Sequence, residues 1–533
     1  MNPLHGRSLI AGQPSADGAD SSRPVSPLDG RPLDPPFYQA GENDVRRAVE
    51  AAEAAFLSHA TLPSARRAEF LEEIATELEA TGSALLDRAH LETGLPLERL
   101  KGERGRTCGQ LRLFADVIRE GSWVDARIDT AQPDRPPLPR ADLRRMLVPL
   151  GPVVVFGSSN FPLAFSVAGG DTASALAAGN PVIVKAHSAH PGTSEMVAEA
   201  VARAACTCGL PAGVFSMLHG RGQVVGTALV RDPRIRAVGF TGSQAAGRAL
   251  FDAAAARPEP IPVFAEMASL NPVFLLPGVL QADSAALAAG LKNSVTLGVG
   301  QFCTKPGLVF ALRSAGLDEF LAHFGAAIKA SHPATMLHPG ICQSYHARAA
   351  DLSAVPGVSV LARADTPAKA DATEGAALVL RTSAANFLAE PVLRETEVFG
   401  PFSLVVVADS PAELMALAES LSGQLTATLH GKAEDLAAAG DLVAVLQRKA
   451  GRLIVNGFPT GVEVCPAMTH GGPYPATTDA RFTSVGTAAM LRFARPVTWQ
   501  DFPEALLPPE LWNANPSGIM RLVNNELTRN PIP

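Results

Sequence analysis

The chain has 533 residues, which is too long for one compact core and predicts two or three domains. Its composition, 47% hydrophobic and 18% charged, is globular, and its net charge of −7 excludes a broad basic surface for nucleic acid. No apolar run reaches the ~18 residues of a membrane span. With six cysteines and a polar start that lacks the pattern of a signal peptide, we expect a cytoplasmic protein.

The first 150 residues predict an arm, then helices, then a strand. Residues 1–36 are rich in Gly, Ser, Asp and Pro, which favours an extended or loosely ordered arm. Apolar residues at helical spacing predict helices over 43–60, 64–90 and 97–119. A stretch rich in Pro, Asp and Arg at 129–142 leads into a strand at 145–148.

From residue 151 the pattern changes to strands that alternate with helices. Strands are predicted at 153–156, 181–185, 214–218, 235–240, 261–265, 272–276, 307–313, 404–407 and 453–456. Helices are predicted at 165–178, 191–208, 221–230, 243–256, 283–297, 317–330 and 411–421. The alternation indicates an α/β fold with parallel sheets, in two halves that meet near residue 267.

Polar and glycine residues stand at the ends of the strands in the first half. They are Asn160, Lys185, Thr241, Gly242 and Ser243. Ligands of parallel sheets bind at the carboxyl ends of the strands. Gly242 and Gly247 would let a pyrophosphate approach a helix N-terminus, although a glycine in such a place more often serves the turn alone.

Three residues could take part in catalysis through a covalent intermediate. Cys303 lies among small and amide residues, and a thiolate readily attacks a carbonyl carbon, whereas a lone cysteine is more often a packed core residue. Glu266 ends a strand, where a raised pKa would suit a general base; a surface salt bridge is the alternative. Asn160 could donate to an oxyanion or form a turn. Cys206 and Cys208 indicate helix packing, so we predict no metal.

Taken in order, these motifs resemble those of the aldehyde dehydrogenase superfamily over residues 25–500. The motifs are Ser159-Asn160-Phe161-Pro162, Val184-Lys185, Phe240-Thr241-Gly242-Ser243, Glu266, Gly300-Gln301-Phe302-Cys303 and Glu397-Val398-Phe399-Gly400-Pro401. The resemblance implies a Rossmann-like cofactor domain, an α/β catalytic domain and a small β oligomerisation element.

The same resemblance implies a role for each motif. Cys303 would be the nucleophile and Glu266 the base, while Asn160 and the backbone N–H of Cys303 would form the oxyanion hole. Lys185 and Glu397 would bind the two riboses of the cofactor, and Phe399 would lie near the nicotinamide.

The resemblance also implies the domain organisation. Residues 1–124 and 151–266 would bind the cofactor, and residues 267–470 would form the catalytic domain. Strands in 125–150 and 485–500 would pair between subunits, so we expect a homodimer or homotetramer with a small aldehyde as substrate.

Within the superfamily, three stretches resemble one branch, which oxidises α-ketoglutaric semialdehyde (2,5-dioxopentanoate, also 2,5-dioxovalerate). They are Glu266-Met267-Ala268-Ser269, the run 186–194 and the tail 457–475. A fatty aldehyde dehydrogenase of luminous bacteria shares much of this pattern, so a fatty or other aliphatic aldehyde is the alternative substrate. In the branch that oxidises α-ketoglutaric semialdehyde, a histidine matching His470 lies near the thiol. The alternative interpretation is that His470 is a loop histidine bonded to its own backbone.

Two other classes of function remain as rivals. An acylating enzyme would release its thioester to coenzyme A, but Glu266 is suited to activate water instead. A non-catalytic binding protein of the same fold would have no need for Cys303, Glu266 and Asn160 together.

The cofactor preference is inferred from Ser188, three residues after Lys185. NAD-preferring members usually have a Glu there, which would repel a 2′-phosphate. Ser188 is neutral and Arg221 could add a positive charge, so we expect NADP, with NAD also possible. A substrate carboxylate would need a partner from Arg104, Arg106 and Arg112 or from Gly169-Gly170-Asp171, which the sequence does not rank.

Overall fold

In the computed structural model, which describes residues 3–533, the chain forms two large sheets with helices on their faces and smaller sheets beside them. The α-helices are α1 (Glu42–Ala60), α2 (Ser64–Ala80), α3 (Ala84–Thr93), α4 (Leu97–Glu120), α5 (Gly170–Ala177), α6 (Pro191–Thr207), α7 (Thr227–Arg231), α8 (Gln244–Ala255), α9 (Pro277–Thr296), α10 (Leu317–Lys329), α11 (Pro339–Ser353), α12 (Ala384–Ala389), α13 (Pro391–Glu395), α14 (Pro411–Ser420), α15 (Ala433–Ala438) and α16 (Gly440–Gln447).

The strands follow the same chain order. They are β1 (Ser8–Ile10), β2 (Gln13–Ser15), β3 (Ser21–Ser22), β4 (Phe37–Tyr38), β5 (Arg127–Asp129), β6 (Leu143–Pro149), β7 (Val153–Phe156), β8 (Val182–Lys185), β9 (Phe215–Leu218), β10 (Ala237–Thr241), β11 (Val263–Glu266), β12 (Val273–Leu275), β13 (Leu308–Leu312), β14 (Ala334–Thr335), β15 (Ser359–Arg363), β16 (Glu374–Gly375), β17 (Leu378–Ser383), β18 (Phe402–Ala408), β19 (Gln424–His430), β20 (Ala450–Val455), β21 (Ala494–Gln500), β22 (Arg521–Val523) and β23 (Glu526–Thr528).

The first seven-stranded sheet has the order β11-β10-β7-β8-β9-β1-β2. Strands β7 to β11 are mutually parallel, and β1 joins β9 antiparallel. Strands β7, β8 and β9 are buried throughout, as expected of a parallel sheet covered on both faces. The register pairs Phe156 with Lys185 and Thr241 with Glu266, so the predicted polar residues share one edge.

The second seven-stranded sheet has the order β15-β17-β18-β13-β12-β19-β20. Its strands are parallel except β15, which runs antiparallel to β17. Cys303 lies in the segment that leads from α9 into β13. The chain then returns to the first sheet, where Thr477 forms a bridge with Glu266.

A five-stranded sheet contains the strands expected to join subunits. Strand β21 pairs antiparallel with β6 over their full length, inside one chain, in the order β21-β6-β5-β22-β23. The strand predicted from residue 485 begins only at Ala494. Residues Thr487–Phe493 form a 3₁₀ turn instead, because Arg492 is buried against Asp171 at 2.7 Å. Pairing between subunits and the domain boundaries stay predictions.

Several other boundaries differ from the sequence-based expectation. The helix expected at 64–90 is broken into α2 and α3 at Gly82, which adopts a φ of 63°. Helix α5 starts five residues later than expected, since the Glu103 carboxylate accepts the N–H groups of Leu163 and Ala164. The helix expected at 221–230 begins as a π-helical turn.

The N-terminal arm is more ordered than expected. It supplies β1, whose three residues are buried beside β9 at the edge of the first sheet. Two backbone N–H groups of this arm, those of His5 and Gly6, donate to the buried Glu195 carboxylate on α6. Within residues 3–533, no helix is long and apolar enough to cross a bilayer.

Candidate active site

A cavity of about 480 Å³ opens at the carboxyl edge of the first sheet. Its wall includes the predicted residues Asn160, Lys185, Ser188, Thr241, Gly242, Ser243, Glu266, Cys303, Glu397 and Phe399. Strands β8, β10 and β11 deliver Lys185, Thr241 and Glu266 to the cavity. The loop before β13 and the loop before β18 close the opposite wall with Cys303 and Glu397.

At one end of this cavity the thiol, a histidine and a carboxylate form a hydrogen-bonded chain. His470 Nε2 lies 3.5 Å from Cys303 Sγ and 2.9 Å from Glu266 Oε1. Ser484 Oγ donates to the other carboxylate oxygen at 2.6 Å. His470 and Glu266 are buried, whereas Cys303 is half-buried. Because one nitrogen of His470 contacts both groups, the imidazole holds the thiol and the carboxylate beside each other.

The electrostatics of this chain differ from the expectation for Glu266. Burial acts to raise the pKa of Glu266, but His470 and the hydroxyl of Ser484 outweigh it and hold the pKa below its usual value. The expectation of a raised pKa was therefore wrong, because the partners of the carboxylate could not be found from the sequence. Burial and the neighbouring Glu266 charge raise the pKa of Cys303 well above its ordinary value. The resting thiol is thus protonated beside an ionised carboxylate.

The oxyanion donor predicted at Asn160 lies in the same wall. Asn160 Nδ2 donates to the carbonyl of Gln301 at 3.2 Å, which fixes the amide next to the thiol loop. Asn271 Nδ2 holds the far side of that loop by donating to the carbonyl of Cys303 at 2.8 Å. The two amides together immobilise the backbone on which the thiol sits.

The thiol loop requires a close approach to the Glu397 loop. Gly300 has a φ of 64°, and a Cβ there would lie 2.2 Å from the carbonyl oxygen of Gly400. Two residues after the thiol, the buried Lys305 Nζ donates to the carbonyls of Val398 and Phe402 at 3.2 and 2.9 Å. The thiol, Glu397 and Phe399 are thereby held by one rigid contact.

The rest of the wall has the chemistry of a dinucleotide site. Burial lowers the pKa of Lys185 to about 8, so its ammonium would gain from ribose or phosphate oxygens. Helix α8 starts at the wall, where Ser243 Oγ accepts the N–H of Ala246 at 3.3 Å. Burial also raises the pKa of Glu397.

Gly247 lies further along α8, outside the wall of the cavity. A Cβ there would lie 2.8 Å from the side chain of Met267, so this glycine serves close helix packing.

An adjoining cavity of about 430 Å³ shares His187 and Ser188 with the first. Arg221 lines this second cavity and is exposed to solvent. Asp20, from the N-terminal arm, lines it as well and supplies an opposing charge. The structure thus brings Ser188 and Arg221 to one place.

The residues predicted as candidates for binding a substrate carboxylate differ in their hydrogen-bond partners. Arg104 donates to the carbonyl of Gly82, and Arg112 makes two hydrogen bonds to Glu79, both away from the thiol. Asp171 pairs with Arg492 in the interior. Arg106 instead donates to the carbonyl of Val462.

Four site residues were not found by sequence reasoning: Ser484, Asn271, Lys305 and Arg99. Each acts through a partner that is far away in sequence. Ser484 and its partner Glu266, for example, are 218 positions apart. Only Lys305 carried a local signal, since it lies two residues after the thiol.

A metal ion would find three ligand atoms in this site. One atom each of Glu266, Cys303 and His470 lie within 4.8 Å of one another, as do those of His5, Glu195 and Glu199. The hydrogen bonds within the first group satisfy its atoms without an ion.

The chain matches the aldehyde dehydrogenase family over residues 16–476. The chain belongs to the aldehyde dehydrogenase family. It is 54% identical to alpha-ketoglutaric semialdehyde dehydrogenase 2 of Azospirillum brasilense, over 97% of this chain and 98% of that relative. It is 46% identical to alpha-ketoglutaric semialdehyde dehydrogenase of Acinetobacter baylyi, over 99% of this chain and 100% of that relative.

Solved structures show that the aldehyde dehydrogenase fold is retained. PnpE in complex with nicotinamide adenine dinucleotide is 23% identical, with a TM-score of 0.78 over 93% of this chain and 97% of that one. A 3,6-anhydro-L-galactose dehydrogenase is 24% identical, with a TM-score of 0.78 over 93% of this chain and 99% of that one. The predicted family and α/β fold are confirmed, and the chain is an aldehyde dehydrogenase.

Proposed function

We propose that this aldehyde dehydrogenase oxidises 2,5-dioxopentanoate to 2-oxoglutarate, in the cytoplasm, through a thioester on Cys303, with NADP preferred and NAD also used. The contact of His470 Nε2 with both Cys303 Sγ and Glu266 Oε1 carries the proposal. The two relatives at 54% and 46% identity support the choice of aldehyde, since both are named for α-ketoglutaric semialdehyde.

The residues of the site divide the reaction between them. The thiol of Cys303 releases its proton to solvent and attacks the aldehyde carbon, beside the carboxylate that His470 holds in place. The amide of Asn160 and the N–H of Cys303 stabilise the oxygen that becomes negative; removing one such donor typically costs ~10²–10³ in rate. Glu266 then takes a proton from the water that hydrolyses the thioester and passes it to the departing sulfur of Cys303, so that the acid leaves and both groups are restored.

The cofactor supplies the redox chemistry. When bound, the nicotinamide dinucleotide would supply the acceptor for the hydride that leaves the carbon attached to Cys303, and a thioester would remain on the sulfur. Lys185 and Glu397 would orient its riboses, Thr241, Gly242 and Ser243 at the start of α8 would face its phosphates, and Phe399 would cover the nicotinamide. Ser188 and Arg221 would donate hydrogen bonds to a 2′-phosphate, which supports NADP.

The test measures the formation of reduced cofactor by its absorbance. The assay contains 2,5-dioxopentanoate and either NADP or NAD, and it is run with and without coenzyme A. We expect 2-oxoglutarate as the product and no dependence on coenzyme A. An acyl-coenzyme A product would indicate the acylating class, and faster turnover of long aliphatic aldehydes would replace the proposed substrate. Absence of turnover with every aldehyde would leave a binding protein.

A further inference from the structure

One face of α4 points at the active site and carries two arginines. Arg99, Glu103 and Arg106 are spaced four and three residues apart, so they share a face of the helix. Arg99 Nη2 donates to the carbonyl of Asn160 at 2.6 Å, and Arg106 donates to the carbonyl of Val462. Arg99 thus contacts the segment of Asn160, whose amide bonds to the thiol loop, whereas Arg112 on the same helix faces Glu79.

Arg99 lies over two aromatic rings whose residues neighbour the reacting groups in the sequence. Its guanidinium carbon is 4.9 Å from the ring centroid of Phe161 and 4.9 Å from that of Phe302. Phe161 follows the oxyanion donor Asn160, and Phe302 precedes the nucleophile Cys303. The two rings, which are nearly perpendicular to each other at 86°, both contact the guanidinium and hold it in place.

The guanidinium of Arg99 is not fully satisfied. Among the residues that the structure describes, its Nη1 atom is buried and has no hydrogen-bond partner. A buried cationic donor without an acceptor is unfavourable, and such groups mark places where a ligand supplies the acceptor. The neighbouring Glu103 does not bond it: Glu103 Oε1 accepts from Leu163 and Ala164, Glu103 Oε2 is itself buried without a partner, and within residues 3–533 no ion pair joins Glu103 to Arg99.

We propose that Arg99 binds the carboxylate of the aldehyde substrate and makes this enzyme selective for anionic aldehydes. The inference rests on the proposed function. The carboxylate of 2,5-dioxopentanoate lies four carbon–carbon bonds from its aldehyde carbon, a span of ~5 Å at ~1.5 Å per bond. A planar guanidinium with a free donor matches a carboxylate better than a lysine would.

The test compares two aldehydes that differ only in the charged end, 5-oxopentanoate and pentanal. The measured quantity is the ratio of their kcat/KM values in the parent enzyme and in Arg99→Met, Arg99→Lys and Arg112→Met. We expect the ratio to fall about 10- to 100-fold in Arg99→Met, mainly because the anionic aldehyde binds more weakly and its KM rises. Arg99→Lys should lie between, and Arg112→Met should keep the parent ratio.

The ratio separates substrate recognition from damage to the site. If Arg99→Met slows both aldehydes by the same factor, Arg99 only supports Asn160 and the inference is wrong. A ratio that falls in Arg106→Met and not in Arg99→Met would move the carboxylate site to Arg106. If the parent enzyme does not prefer 5-oxopentanoate or 2,5-dioxopentanoate over pentanal, the proposed substrate is wrong. If the parent shows this preference and Arg99→Met keeps it, only the inference about Arg99 is wrong.

Discussion

The imidazole of His470 lies 2.9 Å from the carboxylate of Glu266, and the same nitrogen lies 3.5 Å from the thiol of Cys303. A single histidine therefore connects the nucleophile to the base. The sequence predicted His470 near the thiol only through a family resemblance, and its contact with Glu266 came from the structure. A change to His470 should consequently alter the protonation of the Glu266 carboxylate, and a change to Glu266 that of the Cys303 thiol.

Replacing Cys303 by Ala should abolish aldehyde oxidation and leave cofactor binding intact. The thiol is the only side-chain atom of this residue that the reaction requires, and its removal leaves the wall around Lys185 and Glu397 unchanged. Steady-state rates and fluorescence titration with NADPH measure the two properties. Oxidation at more than ~1% of the parent rate would contradict a covalent mechanism.

Replacing Glu266 by Gln should collapse turnover but preserve a burst of NADPH in the first turnover. The substitution removes the base for hydrolysis and also the charge that raises the pKa of Cys303. Alkylation of the thiol by iodoacetamide near neutral pH should therefore be as fast as in the parent or faster. Slower alkylation together with loss of the burst would assign Glu266 to thiol activation instead.

Replacing His470 by Asn should move the acid limb of the pH–rate profile toward neutral pH. Glu266 must be ionised to act as a base, and His470 helps to hold its pKa down against burial. Without the imidazole, burial dominates and the carboxyl stays protonated to a higher pH. Ser484→Ala removes one hydrogen bond to the same carboxylate and should give a smaller shift in the same direction. An unchanged acid limb in both variants would contradict this coupling.

Cofactor preference should depend on Ser188 and its surroundings. Ser188→Glu should lower kcat/KM for NADP by about 10- to 100-fold and favour NAD, because Ser188 is exposed and solvent screens part of the repulsion. Arg221→Ala should weaken NADP alone, and Asp20→Asn should strengthen it, since Asp20 lines the same cavity. A tenfold preference of the parent for NAD would overturn the argument.

The buried pair of Arg492 and Asp171 should matter for stability. Arg492→Met leaves a buried carboxylate without its cation, which typically costs about 3–5 kcal/mol. The melting temperature should fall by several degrees. Arg481→Met is the matched control, because the Arg481–Asp479 pair is largely solvent-exposed on its arginine side and should change little. Equal melting temperatures of Arg492→Met and the parent would contradict this role of the pair.

The sequence predicted the alternating strands and helices of the first sheet closely, because β7, β8 and β9 are almost continuous apolar runs. It missed β19, whose Gln424 and Thr426 look solvent-facing but are buried. Gln424 accepts the N–H groups of Leu270 and Asn271, and Thr426 donates to the Asn271 side chain. Such polar residues in a core strand are explained only by partners far away in sequence.

In the candidate site, too, local motifs were predicted from the sequence and distant contacts were missed. Motifs with a local pattern, such as the one around Cys303, were located from the sequence and lie together in the cavity wall. The sign of the pKa shift of Glu266 was missed, since it depends on His470 and Ser484, which lie 204 and 218 positions away. Arg99 was missed because its role depends on the rings of Phe161 and Phe302.

The return of the chain from the second sheet to Glu266, marked by the bridge to Thr477, also orders events during synthesis. Domains fold as the ribosome releases them, so both large sheets can form before residue 470 has left the exit tunnel. At that stage the nascent protein holds a thiol and a carboxylate without the imidazole that joins them. The catalytic group is therefore completed last, when the segment that carries His470 docks beside Glu266.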